Sequence, residues 1–89
     1  MPKIYYNRQA VGDVLLIIYD DATIPNKIIN NDNVTALYKD GVLIGVNIFD
    51  FSKIVRIFHN GEIIEPTSEF VKIINHILIN ANIKPLEEW

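Results

Sequence analysis

Eighty-nine residues make one domain's worth of chain, with room for one hydrophobic core. A hydrophobic fraction of 49% and a mean hydropathy of +0.17 exclude a disordered segment, and the absence of cysteine excludes a disulfide framework, a thiolate nucleophile and a thiolate metal site. The formal charge of −3, with eight basic residues scattered from Lys3 to Lys84, argues against nucleic-acid binding by this domain alone, since phosphate neutralisation drives that affinity.

The first residues, Met1 to Tyr6, do not have the form of a signal peptide, and Ile4 to Tyr6 reads as a short strand. Asn7 to Asp13 is a turn segment in which Gly12 supplies φ > 0 and Asp13 can bond its own backbone. Val14 to Tyr19 is a continuous apolar, β-branched run and predicts a buried strand. It is far shorter than the ~20 residues of a bilayer span. These features predict a cytoplasmic protein with no membrane partner.

Ala22 to Asn33 is polar and irregular, with Pro25 and several Asn. It reads as loop, its regular options being one weak helical turn or a short edge strand near Lys27 to Ile29. Val34 to Lys39 and Val42 to Phe49 flank Asp40-Gly41, the pair that a type I′ hairpin turn demands. Asn60-Gly61 predicts a second hairpin between Ile54–His59 and Glu62–Glu65. Asp50 to Lys53 can instead cap a short helix running into Ile54 to Phe58. Pro66-Thr67-Ser68-Glu69 opens a helix. Its apolar positions Phe70, Ile73, Ile74, Ile77, Leu78 and Ala81 recur at helical spacing, Lys72, Asn75, His76 and Asn80 face away, and Asn82 ends it. The reading is an α+β fold: a small, mostly antiparallel sheet of about four to six short strands with one C-terminal amphipathic helix. Residues 1–85 form a single domain, and 86–89 form a tail or the start of a linker.

No constellation of residues carries a recognisable chemistry. His59 and His76 lack metal-ligand spacing, Asp20-Asp21 and Glu87-Glu88 point to opposite faces of extended chain, and Ser52 and Ser68 lie outside any nucleophile elbow. The expectation is a protein that is not an enzyme, with no cofactor and no metal. The aromatics Tyr5, Tyr6, Tyr38, Phe49, Phe51 and Phe58 lack basic neighbours and read as packing rather than base stacking. The surplus of apolar residues is more informative. Val14 to Tyr19 is apolar on both alternating faces, and one helix covers only one face of a small sheet. The second face needs an occupant: loop segments, a second copy of the chain, or another domain.

The ordered set Tyr5-Tyr6-Asn7, Val11-Gly12-Asp13-Val14-Leu15-Leu16, Gly45-Val46-Asn47-Ile48-Phe49 before Ser52, and Thr67-Ser68-Glu69-Phe70-Val71 resembles the N-terminal domain of YtpR-type bacterial tRNA-binding proteins. In that family a domain of unknown function precedes an EMAP II-like OB-fold, related to the tRNA-binding domain of the phenylalanyl-tRNA synthetase β chain. The resemblance covers nearly the whole chain. It departs at Asp50, where Asn is expected, at Pro66, where Leu is more usual, and in Val34 to Tyr38, which lacks a basic residue. It implies a non-catalytic accessory domain that contacts a downstream OB-fold or forms a homo-oligomer, with tRNA bound through that OB-fold. The alternatives are a module that touches tRNA itself, and a small-molecule or enzyme domain with Asn7, Asp13, Asn47 and Asp50 converging in a cleft. The candidate surface is Tyr6, Asn7, Gly12, Asp13, Asn47 and Phe49. These positions also carry the resemblance, so they double as a signature of the fold.

Overall fold

A computed structural model of the chain describes residues 2–6, 12–54 and 68–86. The chain divides into two units, Met1–Phe51 and Ser52–Trp89. The first holds five strands, β1 (Lys3–Tyr6), β2 (Val14–Ile18), β3 (Lys27–Asn31), β4 (Val34–Lys39) and β5 (Val42–Phe49), and the second holds the helix α1 (Ser68–Asn80). The strands form one antiparallel sheet in the order β1-β2-β5-β4-β3. This is the small α+β architecture expected from the sequence.

The alternation of side chains sorts the sheet into two faces. Leu15 and Ile17 on β2 lie opposite Ile48 and Val46 on β5, which in turn lie opposite Val34 and Ala36 on β4. All six are buried, and Leu15, Ile17, Val46 and Ile48 are fully so. Burying each such aliphatic side chain contributes about 1.5–3 kcal/mol, which fixes the register: a one-residue slip would turn this whole set to the other face.

The turns follow the sequence closely. Asp40 (φ 50°) and Gly41 (φ 81°) both take the left-handed conformation that a type I′ turn requires. Asn26 braces that turn from a distance. Its amide donates to Asp40 Oδ1 at 2.8 Å and accepts from the Asp40 N–H at 3.1 Å. The β3–β4 turn is braced likewise: Asn33 Nδ2 donates to the Phe49 carbonyl at 2.9 Å, and the Phe49 N–H donates to the Asn33 carbonyl at 2.7 Å. The segment read as loop is therefore an edge strand longer than the Lys27-to-Ile29 option, held by polar contacts rather than by apolar alternation. Thr35 Oγ1 adds a bond to Asn30 Oδ1 at 2.7 Å across it.

At the far end of β2 the N–H groups of Tyr19 and Asp20 both donate to the Ile44 carbonyl, at 3.0 and 3.1 Å. Two residues facing one is a bulge, and it ends the ladder. Asp20 then organises the following loop, accepting from the Ala22 N–H at 3.0 Å and from the Thr23 hydroxyl at 2.5 Å.

After β5 the chain turns at Asp50 (φ 54°) and becomes helical over residues 51–54. Ile54 thus belongs to a helical turn and does not begin a strand. The rest of the expected hairpin, 55–65, lies outside the described residues.

In the second unit, Ile73, Ile74, Ile77 and Leu78 form the buried stripe of α1, while Lys72, His76, Ile79 and Asn80 are exposed. The helix closes with a Schellman motif. The Ile83 N–H donates to the Leu78 carbonyl at 2.8 Å and the Asn82 N–H to the Ile79 carbonyl at 3.0 Å, with Asn82 left-handed at φ 59°. Ile83 and Leu78, the pair that accompanies this motif, are both buried. Asn75, expected to face away, instead is half-buried. Its side-chain amide pairs with the Leu86 peptide, donating to Leu86 O at 3.2 Å and accepting from Leu86 N at 2.7 Å.

Candidate functional site

The candidate residues separate into two groups. Tyr6, Gly12 and Asp13 gather where β1 and β2 meet. The Tyr6 hydroxyl donates to Asp13 Oδ1 at 2.6 Å, and its ring lies 5.3 Å from that of Phe51, tilted by 59°. Gly12 at φ 87° lets the chain turn tightly enough for the Val14 N–H to reach the Gly12 carbonyl at 2.9 Å. The Phe51 N–H in turn meets the Asp13 carbonyl at 3.4 Å. Phe51 is buried, and Tyr6 and Asp13 are half-buried. The cluster ties three separate stretches of chain together. The candidate surface read from the sequence includes Tyr6 and Asp13 but not Phe51, which reads with the other aromatics as packing and is buried. The Asp13 carboxylate is engaged by the Tyr6 phenol, whose ring packs against Phe51.

Asn47 and Phe49 lie elsewhere, on the face of the sheet opposite the buried set. One cross-strand row there reads Tyr5, Leu16, Asn47, Thr35 and Asn30; Val14 pairs with Phe49 beside it. A parallel row runs Lys3, Ile18, Gly45, Leu37 and Ile28. Gly45 leaves space that Leu37 occupies: a Cβ there would meet Leu37 Cδ1 at 3.4 Å. Tyr5, Phe49 and Ile28 are 42%, 40% and 58% exposed, and Val14, Leu16, Ile18 and Leu37 are half-buried. Among them sits Asn47, half-buried, its side-chain amide without a hydrogen-bond partner among the described residues. This face is part-exposed and largely apolar toward β2 and β5, with the Asn47 amide among its apolar side chains. Asn7 lies outside the described residues, and Asp50 ends β5 in a turn, so the cleft of Asn7, Asp13, Asn47 and Asp50 is not among the groupings described.

The electrostatics of the described residues are quiet. No three His, Cys, Asp or Glu among them converge to hold a metal ion. Asp20 is held below the ordinary aspartate range by the Thr23 hydroxyl first and the Ala22 N–H second. Lys3 and Asp21 pair at 3.5 Å in full solvent, where such a bridge is worth little. No helix among the described residues is long and apolar enough to cross a membrane.

Compared with known proteins, the chain matches the family model described as "Domain of unknown function (DUF4479)" over residues 21–86. No curated protein matches it, and neither does any solved structure.

Proposed function

We propose, on the premise that the chain belongs to the DUF4479 family, that it is a non-catalytic interaction domain whose binding surface is the open face of its sheet. The observation that carries this reading is the row through Leu16, Asn47 and Thr35, flanked by Tyr5, Val14, Phe49 and Leu37. Apolar side chains left at a surface around one unpaired amide have the composition of a docking patch: burial supplies the affinity, and the amide's hydrogen bonds supply the orientation. The resemblance to the N-terminal domain of YtpR-type proteins supports a specific occupant, a downstream OB-fold of the same polypeptide. On this reading the domain works in the bacterial cytoplasm, in a protein that reaches tRNA through the OB-fold. The domain's own acidic balance disfavours a direct tRNA contact.

The test begins with the reading frame past codon 89 and continues with methyl NMR of Val14, Leu16 and Leu37 in the domain alone and in the whole gene product. Methyl shifts confined to this face, and lost in Phe49→Ser, support the reading. A frame without an OB-fold removes the proposed occupant, and shifts absent from this face remove the proposed surface. A salt-dependent tRNA shift by residues 1–89 alone would favour the direct-binding alternative.

A further inference from the structure

The tip of the β4–β5 hairpin carries a chemistry that neither the core nor the open face uses. Asp40 and Gly41 are both exposed there, and a Cβ built on Gly41 would meet nothing within 4 Å, so no side chain crowds that residue. An aspartyl carboxyl beside an unshielded glycyl nitrogen can condense with it. The Gly41 nitrogen attacks the protonated Asp40 carboxyl: the N–Cγ bond forms, the Cγ–OH bond breaks, and the hydroxyl leaves with the amide proton as water. Water re-entering at the main-chain carbonyl of the cyclic imide leaves the chain running through Cγ. The product is an isoaspartyl link, with an extra methylene in the backbone and an unchanged composition. The folded turn withholds the geometry for this. Asp40 sits in the left-handed region at φ 50°. There ψ is about +30 to +60°, which points the Gly41 nitrogen away from Cβ across the Cα–C bond. Ring closure needs that nitrogen on the Cβ side, so the turn has to open first.

We propose that Asp40-Gly41 is a site of spontaneous isoaspartate formation and that Asn26 is the latch that sets its rate. Asn26 is itself fixed to the hairpin, its N–H donating to the Tyr38 carbonyl at 2.9 Å. Its side chain holds Asp40 at two points, donating to Oδ1 at 2.8 Å and accepting from the Asp40 N–H at 3.1 Å. The first bond keeps the carboxyl turned toward Asn26, and the second keeps the Asp40 peptide in the left-handed turn. Opening the turn for ring closure gives up this hold, and two hydrogen bonds of ordinary net strength suppress the open form about tenfold. Once formed, the longer link no longer suits a two-residue turn, so Lys39 and Val42 lose their pairing and the hairpin frays from its tip.

Peptide mapping of the chain held at mildly acidic pH reads the product, which keeps the mass of the parent peptide, shifts in retention, and is located at residue 40 by fragmentation. The native chain should accumulate it at least about tenfold more slowly than the chain unfolded in urea, where the turn is absent. Asn26→Ala should speed accumulation in the native chain about tenfold, with circular dichroism showing that the variant is folded. Asn33→Ala is the control. It removes the comparable brace from the β3–β4 turn, the bond from Asn33 Nδ2 to the Phe49 carbonyl, and should leave the rate at Asp40 unchanged. An Asn26→Ala rate equal to that of the parent chain overturns the latch, and so does an equal acceleration by Asn33→Ala, which would trace the effect to general loosening of the sheet. Native and unfolded parent chains that isomerise at one rate overturn the proposal without any variant having to fold.

Discussion

Removing the Asn75 side chain tests how the end of the chain is held. In Asn75→Ala the Leu86 peptide loses both of its bonds to the amide, at 2.7 and 3.2 Å. Each net hydrogen bond contributes about 0.5–1.5 kcal/mol, so the expected cost is about 1–3 kcal/mol. The loss has a ceiling set by local release. Ile83 remains fixed by its own bond to Leu78, so at most residues 84–86 come free. The burial of Leu86 is then forfeited, which costs about 1.5–3 kcal/mol. The two routes converge on the same range. For a domain of this size it corresponds to a fall in Tm of about 5–15 °C. Urea unfolding gives the magnitude, and amide exchange at Leu86 separates release of the tail from global loss. Asn75→Asp sharpens the test. It keeps the acceptor for the Leu86 N–H but sets a carboxylate oxygen against the Leu86 carbonyl, so it should cost as much as Ala at neutral pH. It should recover part of the loss as the pH falls through the carboxylate range and the acid becomes a donor. A loss below about 0.5 kcal/mol, with Leu86 exchange unchanged, would refute the claim that this pair anchors the tail.

Other perturbations follow from the same contacts. Tyr6→Phe removes a 2.6 Å bond to a carboxylate and should cost about 1.5–3 kcal/mol in urea unfolding, with β1 amides losing protection first. Asn82→Ala, which forces a Cβ residue without a helpful side chain into the left-handed region, should destabilise by about 1 kcal/mol. Asn82→Gly should stabilise by a few tenths, and a thermal melt that reverses this order would contradict the Schellman assignment. Asp20 should titrate below an ordinary aspartate in a carbon-detected NMR titration, and Thr23→Ala should raise it toward the normal value. Because the folded value is depressed, the stability linked to Asp20 is present above the unfolded-state pKa and fades as pH falls through the folded one. A variant that titrates no higher would remove the Thr23 hydroxyl as the main cause.

The comparison of expectation and structure divides along physical lines. β2, β4, β5 and α1 were legible because hydrophobic period and turn chemistry agree there: Asp40-Gly41 dictates its own turn, and the stripe from Ile73 to Leu78 dictates its face. β3 was only half legible. Lys27-Ile28-Ile29-Asn30-Asn31 shows no alternation and two poor strand formers, and the strand is held by Asn26, Asn33 and Thr35 reaching residues up to sixteen positions away. The same long reach hid the role of Asn75, which by helical spacing belongs to the polar side. Among the candidate site residues, Tyr6 and Asp13 are bonded to each other, a pairing that no local signal in the sequence specifies. The sequence did not reveal that Asn47 and Phe49 lie on another face, because that depends on which register the buried set selects.

The order of the strands in the sheet bears on how the chain reaches its folded state. β3, β4 and β5 form a meander joined by two tight turns, so their ladders close short loops at little entropic cost. β2 must find β5 across the whole of that meander, Val14 pairing with Phe49. The meander is thus the natural nucleus, and docking of the β1–β2 hairpin on β5 is the late, slow event. Substitutions at the Asp40-Gly41 turn should slow folding, while Leu15→Ala should chiefly speed unfolding, and φ-values with the opposite ranking would reverse the sequence of events. The strand that anchors the nucleus at its outer edge is also the most exposed one. The early species would then present a ready pairing edge before the rest of the sheet has formed, and the concentration at which the chain folds would govern its yield of monomer.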